Sequence, residues 1–431
     1  MNELTLFLPC AAGVEDFLAD EVHALTGLTG HDLLTGRGGV LLRSSWRDAL
    51  ALNLHSRLAQ RVLVRLGAQP YRSEDDLYAL ASGIAWEIWF TPRQSFKIEV
   101  TAQHSPLKSL NFAALRVKDA VADRFRAKAG VRPDVQTRWP DVRIHLHLAG
   151  DEAQLYIDTS GEPLFKRGWR DVAGGGAKGD APLKETLAAA MIAATGWDPH
   201  AGEPLPLYDP CCGSGTVAIE AAQIACRMAP GLRRRFGFEK LLPFQAHVWA
   251  ALRDEAASAV VPPAAPVFGS DISHRMVDFA QRNAERAGVA QAVQLRGGDA
   301  LQRMPPTAQP GILLLNPPYG ERIAAAGSAG RNAEQRARER RGAAAGGRES
   351  ALVEDGGDFF AQLAAHWKRH YAGWQAWMLT PDLKLPGRMR LKESRRVPLW
   401  NGPIECRLFR FDLVAGSARG RPGAAGPDAL A

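Results

Sequence analysis

The chain has 431 residues, 46% of them hydrophobic and 23% charged, with a formal net charge of +7 at pH 7. That length predicts about two to three domains, and the balance is that of a globular chain rather than a disordered or fibrous one. The basic excess favours a polyanionic partner. The five cysteines, an odd number without a CxxC pair, suggest neither a disulfide framework nor a zinc site. No basic stretch precedes an apolar run at the N-terminus, and no apolar run is of bilayer length. We therefore expect a cytoplasmic protein with no membrane and no metal among its partners.

In chain order, a strand is predicted over 4–9 and a helix over 13–25, with Val14, Phe17, Leu18, Val22 and Leu25 at helical spacing. A turn at Gly36–Gly39 leads to a strand over 40–42, a helix over 46–58 and a strand over 62–66. These make a small α+β module over 1–60. A second module over 61–161 opens a helix at Ser73, alternates as a strand over 95–101 and holds a basic helix over 107–129 that carries Lys118. Strands over 142–148 and 153–158 close a hairpin in which Arg143, His145 and His147 share the polar face. The stretch Leu164–Arg170 gathers Lys166, Arg167, Trp169 and Arg170. Such a mixture can neutralise phosphates and stack on a base, or it can serve as a charged strap between domains. Residues 162–181, with three successive glycines, read as a linker.

The large domain spans 182–414. An Ala-rich helix over 183–194 precedes a strand over 205–208, which ends in Asp209-Pro210-Cys211-Cys212-Gly213-Ser214-Gly215-Thr216 and a helix over 217–226. Strand, glycine-rich turn and helix form the first unit of a doubly wound nucleotide fold. The spacing is neither the Walker pattern nor GxGxxG. An acid ahead of the glycines suits a cationic or hydroxylated ligand, and the two cysteines read as small packing residues. Strands over 266–270 and 293–295 end in Asp271 and Asp299, the first placed to hold ribose hydroxyls and the second an adenine amino group.

The stretch 311–315 reads as a buried parallel strand that stops at Asn316-Pro317-Pro318-Tyr319. Neither proline has an N–H, so the chain must leave the sheet at its carboxyl edge. There the Asn316 amide oxygen and the Pro317 carbonyl offer two acceptors and Tyr319 a stacking face, a set suited to gripping a planar base by its exocyclic NH2. Residues 324–354, rich in Ala, Gly and Arg, are expected to be a disordered insertion, and 415–431 a disordered tail. Between them lie a helix over 359–371, a strand over 375–380, and an antiparallel pair over 388–398 and 404–412 around Asn401-Gly402.

The segment from Asp209 to Thr216, with Asp271, Asp299 and Asn316 to Tyr319, resembles the motifs of class I S-adenosylmethionine-dependent amino-methyltransferases. The N-terminal third resembles a THUMP domain with its ferredoxin-like companion. Val117-Lys118-Asp119-Ala120, Pro140-Asp141-Val142-Arg143, Lys166-Arg167-Gly168-Trp169-Arg170 and Asn401-Gly402-Pro403-Ile404-Glu405-Cys406 extend the likeness. It is similar to bacterial 23S rRNA guanine-N2 methyltransferases, in the guanine-N2 domain without a second fused methyltransferase. The resemblance implies a Rossmann-like α/β methyltransferase domain with a C-terminal antiparallel hairpin, behind α+β ferredoxin-like and THUMP modules. It implies S-adenosylmethionine held by Asp209, Cys211, Gly213, Ser214, Gly215, Thr216, Asp271 and Asp299, with catalysis by Asn316, Pro317, Pro318 and Tyr319. RNA would be held by Lys118, Arg143, Lys166, Arg167 and Arg170. Adenine-N6 or tRNA guanine-N2 methylation, and RNA binding without catalysis, are the alternatives.

Overall fold

The computed structural model describes residues 3–170, 183–317 and 348–414. The expected linker glycines, residues 324–347 of the insertion, the tail, Pro318 and Tyr319 lie outside these. The N-terminal elements are β1 (Leu4–Pro9), α1 (Glu15–Thr26), β2 (Leu33–Gly36), β3 (Gly39–Ser44), α2 (Trp46–His55), β4 (Leu63–Pro70), α3 (Glu74–Gly83), β5 (Phe96–Gln103), α4 (Leu110–Ala129), β6 (Val142–Ala149) and β7 (Glu152–Asp158). Period-two sequence decides the faces. In β6, Val142, Ile144, Leu146 and Leu148 are buried while Arg143, His145 and His147 are only half-buried. The two modules are not separate sheets. β4 pairs with β1 on one side and β7 on the other, so one seven-stranded sheet runs β2-β3-β1-β4-β7-β6-β5 through both.

The second sheet is built from α5 (Glu185–Thr195), β8 (Leu207–Asp209), α6 (Thr216–Ala225), α7 (Ala246–Ser258), β9 (Val267–Asp271), α8 (His274–Ala287), β10 (Gln294–Gly297), β11 (Ile312–Leu315), α9 (Arg348–His370), β12 (Gln375–Thr380), α10 (Leu385–Met389), β13 (Arg395–Asn401) and β14 (Ile404–Asp412). Its order is β10-β9-β8-β11-β12-β14-β13. The first five strands are parallel and the last two form the expected antiparallel hairpin. The unbroken apolar run of β11 follows from coverage on both faces. Ile312 and Leu314 join a core with Ala218 and Ile219 of α6, while Leu313 and Leu315 join Phe359, Leu363 and Trp367 of α9. Each such buried side chain contributes about 1.5–3 kcal/mol.

Some expectations need correcting. α9 begins at Arg348, so the last seven residues of the expected insertion are helical; no proline interrupts them. The first arm of the C-terminal pair starts at Arg395 rather than 388, because α10, with Pro386 in its first turn, takes residues 388 and 389 and a turn follows it. Residues 162–170 do not hang as a free linker. The Arg234 guanidinium donates to the carbonyls of Ser160, Glu162, Pro163 and Lys166 at 2.6–3.1 Å. At Gly168, which has φ of +91°, an added Cβ would stand 2.5 Å from the Arg233 carbonyl oxygen. The strap is therefore docked on the second sheet's domain.

Candidate functional site: the carboxyl rim of the second sheet

Strand order reverses at β8, whose neighbours are β9 and β11. At such a switch point the loops part and leave a crevice. Register fixes what lines it. Tyr208 lies beside Leu313 and Asp209 beside Gly269, so Asn316 and Asp271 both stand two residues beyond the level of Asp209, on the strands either side of it. Two strand spacings, roughly 10 Å, separate them. The glycine turn sits between.

Each part of the turn is held. The Asp271 carboxylate accepts the Gly213 N–H and the Ser273 N–H, both at 2.9 Å, tying the turn to the neighbouring strand. Gly215, with φ of +87°, caps α6, and a Cβ there would meet Ala280 at 2.9 Å. At Gly269 a Cβ would meet Leu295 at 2.8 Å and Cys212 at 3.2 Å, so the turn packs directly on β9. Asn283, fully buried on α8, donates to the Ser214 carbonyl at 2.9 Å. Arg286 donates both to Asn283 Oδ1 at 2.7 Å and to the Trp169 carbonyl at 2.8 Å. Sequence reasoning missed Asn283, Gly269 and Arg286. Asn283 carried a signal, since its spacing from Ala280, Ala284 and Ala287 puts it on the buried face of an amphipathic helix.

Asp209 is buried, and its carboxylate accepts a single hydrogen bond from the described residues, the Cys211 N–H at 3.0 Å. Burial pushes its pKa up to about 8, with the Asp271 charge adding to the rise and the Cys211 N–H opposing it. A carboxyl group so placed is suited to a cationic or hydrogen-bond-donating ligand. Between the unfolded pKa of about 3.9 and about 8, the native protein holds a proton that the unfolded chain has released. Its stability contribution is therefore complete below the lower value and is lost as pH rises to the upper one. The ligand-free protein should lose thermal stability over that window, and Asp209→Asn should flatten this part of the profile. Matched melting curves of the two proteins check it; parallel profiles would reject the assignment.

Cys211 is half-buried and Cys212 buried, and desolvation with the nearby aspartates raises both thiols well above their ordinary range. Neither is an activated nucleophile. Thr216 opens α6 and accepts from Arg170, while Asp299 takes the Leu301 N–H at 2.9 Å as it turns the chain after β10. Asn316 follows the fully buried Leu315, and its Oδ1 is buried with no hydrogen-bond partner among the described residues. Pro317 is buried beside it. The two remaining expected catalytic residues, Pro318 and Tyr319, are outside the described residues.

The five expected RNA-binding cations are not a common open surface. Arg167 is 2% exposed and gives its donors to Glu220 and to the Leu164 and Arg57 carbonyls. Arg170 pairs with Glu185 at 2.9 Å and donates to Thr216. Arg143 bridges Glu99 at 3.0 Å and Glu162 at 2.8 Å. Arg167 and Arg170 hold the interior, because their alternative is a buried unpaired carboxylate, while Arg143 is spent on two half-buried acids. Lys166 and Lys118 are more exposed, each against a neighbouring acid, Glu162 and Asp119.

A parallel sheet with this order, an antiparallel hairpin at its end and a glycine turn at the switch point define a class I methyltransferase fold. Comparison with known proteins agrees. Three families match in succession: the RlmL ferredoxin-like domain over 5–63, the THUMP domain over 71–158, and the RMKL-like methyltransferase domain over 167–341. The chain therefore carries ferredoxin-like, THUMP and RMKL-like methyltransferase domains in that order. A ribosomal RNA large subunit methyltransferase K/L from Psychromonas ingrahamii is 34% identical over 416 residues, 95% of this chain but 50% of that protein. The chain spans about half the length of the curated relatives it matches. Among solved structures, SMU.472, described as a methyltransferase and complexed with SAH, superposes with a TM-score of 0.78 at 26% identity, covering 96% of this chain and 98% of that one. A Listeria monocytogenes protein described as an N6-adenine-specific DNA methylase gives 0.76 at 28% identity, covering 95% and 96%.

Proposed function

We propose that this chain transfers the methyl group of S-adenosylmethionine to an exocyclic amino group of RNA, guanine N2 of large-subunit ribosomal RNA. The observation that carries the reading is the buried Asn316 Oδ1, without a partner among the described residues, at the strand end level with Asp271. A buried acceptor without a donor costs about 1–3 kcal/mol, so its retention at a crevice marks a place where a donor arrives. The other residues fit the cofactor. Asp209 suits its ammonium group, the close-packed glycine turn admits its body to the backbone, and Asp271 has lone pairs left for ribose hydroxyls. S-adenosylmethionine supplies a methyl group already bound to a good leaving group.

The protein's part is alignment. Guanine N2 is a poor nucleophile because its lone pair is delocalised into the ring. Asn316 Oδ1 and the Pro317 carbonyl, each accepting one N–H, hold the nitrogen with its lone pair free, and Tyr319 stacks on the base. Orientation of this kind contributes up to roughly 7–11 kcal/mol. The two acceptors also stabilise the positive charge that develops on the amine. The base must leave its stack to reach the rim, at a cost of a few kcal/mol if it is paired. Contacts of the THUMP-bearing half to RNA phosphates would offset that cost.

Incubation with labelled S-adenosylmethionine and unmodified ribosomal RNA, followed by nucleoside mass spectrometry, tests the reading. N2-methylguanosine is expected. N6-methyladenosine would instead favour adenine-N6 methylation of RNA, and no labelled nucleoside would reject RNA methylation. Asp271→Ala frees the Gly213 and Ser273 N–H groups as well as removing the ribose acceptor. It should weaken S-adenosylhomocysteine binding at least about tenfold by calorimetry, the loss of one to two charge-assisted hydrogen bonds. An unaltered affinity would remove Asp271 from the cofactor site.

A further inference from the structure

The N-terminal half meets the methyltransferase half along a seam knitted by hydrogen bonds. Lys240 Nζ donates to Asp141 Oδ1 at 2.5 Å, Gln94 Nε2 to the Lys240 carbonyl at 3.2 Å, and the Leu242 N–H to the Trp89 carbonyl at 2.9 Å. Beside each knot an apolar side chain faces outward. Trp139, two residues before Asp141, is 66% exposed; Ile88, next to Trp89, is 57% and Leu242 49% exposed. The loop bearing Trp139 is not frayed. The Phe96 N–H donates to the Asp134 carbonyl at 2.9 Å and the Gln136 N–H to the Phe96 carbonyl at 3.1 Å. The Asp141 carboxylate takes the Ser95 N–H at 2.9 Å and its hydroxyl at 2.8 Å. A pinned loop that still leaves an indole in water forgoes burial that the fold could have used.

The charge around these side chains is one-sided. Of the nearby acids, Glu87 is held by Arg124 at 2.6 Å, Asp141 by Lys240, and Glu239 accepts the Phe236 N–H at 2.8 Å. Arg93, Arg132 and Arg138 are exposed and have no carboxylate partner among the described residues, against Asp134 on the same loop. The Arg138 guanidinium lies 6.0 Å from the centre of the Trp139 ring. With Val131 and Val135 of the Trp139 loop, 56% and 51% exposed, the outward apolar side chains number five, still few against the roughly twenty residues a side of a protein interface. One stacking plate among scattered cations is what an unpaired nucleic-acid strand needs.

We infer that this seam is a docking site for single-stranded RNA, in which Trp139 stacks on an unpaired base and Arg93, Arg132 and Arg138 meet the phosphates. It rests on the proposed RNA substrate and deepens it, since none of its residues belongs to the rim around Asn316. A strand laid across both halves would fix how the target approaches the rim.

The test is binding of a short single-stranded oligouridylate and of a duplex RNA of equal length to the full chain, by fluorescence anisotropy. The single strand is expected to bind wild type more tightly than the duplex. Trp139→Ala should weaken it roughly tenfold, with Trp139→Tyr restoring most of the loss. Arg138→Ala should lower the slope of log affinity against log salt by about 0.7. S-adenosylhomocysteine affinity should be the same in all variants. Unchanged single-strand affinity in Trp139→Ala, or a wild-type preference for duplex, overturns the inference. The outcome is separable from that of the proposed reaction, which nucleoside analysis reads independently.

Discussion

Asn316→Ala is expected to be inactive yet no less stable than wild type. Its Oδ1 is a buried acceptor without a partner among the described residues, so deleting it removes a cost of about 1–3 kcal/mol from the ligand-free fold. The side chain removed is small and stands past the end of β11, where Leu313, Leu314 and Leu315 keep their packing. A melting temperature equal to or above that of wild type should follow. Methyl transfer should fall by at least about 100- to 1000-fold, the range for removing one preorganised polar group from a reacting centre. The proposed cofactor side of the crevice, Asp209, the glycine turn and Asp271, is untouched, so S-adenosylhomocysteine affinity should change little. That split between stability, cofactor binding and turnover is what a catalytic acceptor produces. A destabilised variant, or one retaining near-normal turnover, would make Asn316 a structural residue instead.

The rim was legible because its central strands are short runs that close on a polar residue or a proline, a break in pattern that marks the strand end. Asp209, Asp271 and the Asn316-Pro317 step punctuate the sequence as sharply as they punctuate the sheet. Long-range partnership was not legible. β4 joins both N-terminal modules into one sheet, yet period-two alternation gives a strand's faces and not its neighbours. β2 escaped notice because it is a four-residue edge strand with three exposed residues and no alternation to detect. α7 buries Trp249, Leu252 and Ala256 at helical spacing but lacks a capping side chain, so its pattern was faint. The strap misled for a different reason. Arg167 and Arg170 look the same in composition whether they face RNA or the interior, and the partner that decides for Arg167, Glu220, lies 53 residues away.

That partnership sets up the second large effect. Glu220 is fully buried one turn into α6, the helix that the glycine turn opens. Its carboxylate accepts from Arg167 Nε at 3.0 Å and from Arg57 Nη1 at 3.1 Å, joining the strap and α2's trailing loop to the methyltransferase domain. Glu220→Ala leaves two guanidiniums buried without their acid, a loss of about 3–5 kcal/mol, and should lower the melting temperature markedly. Arg167→Met keeps the bulk and leaves Glu220 paired with Arg57, so it should cost less. It also separates the two readings of the strap. An Arg167 that met RNA would leave its mark on the salt dependence of RNA binding, since its removal would lower the slope of log affinity against log salt by about 0.7–0.9 for each phosphate it neutralised. An Arg167 that is 2% exposed and tied to Glu220 and the Leu164 and Arg57 carbonyls presents no open face to a phosphate. Arg167→Met should therefore melt earlier while its RNA salt slope stays that of wild type. A shallower slope with unchanged stability would return the residue to the RNA surface.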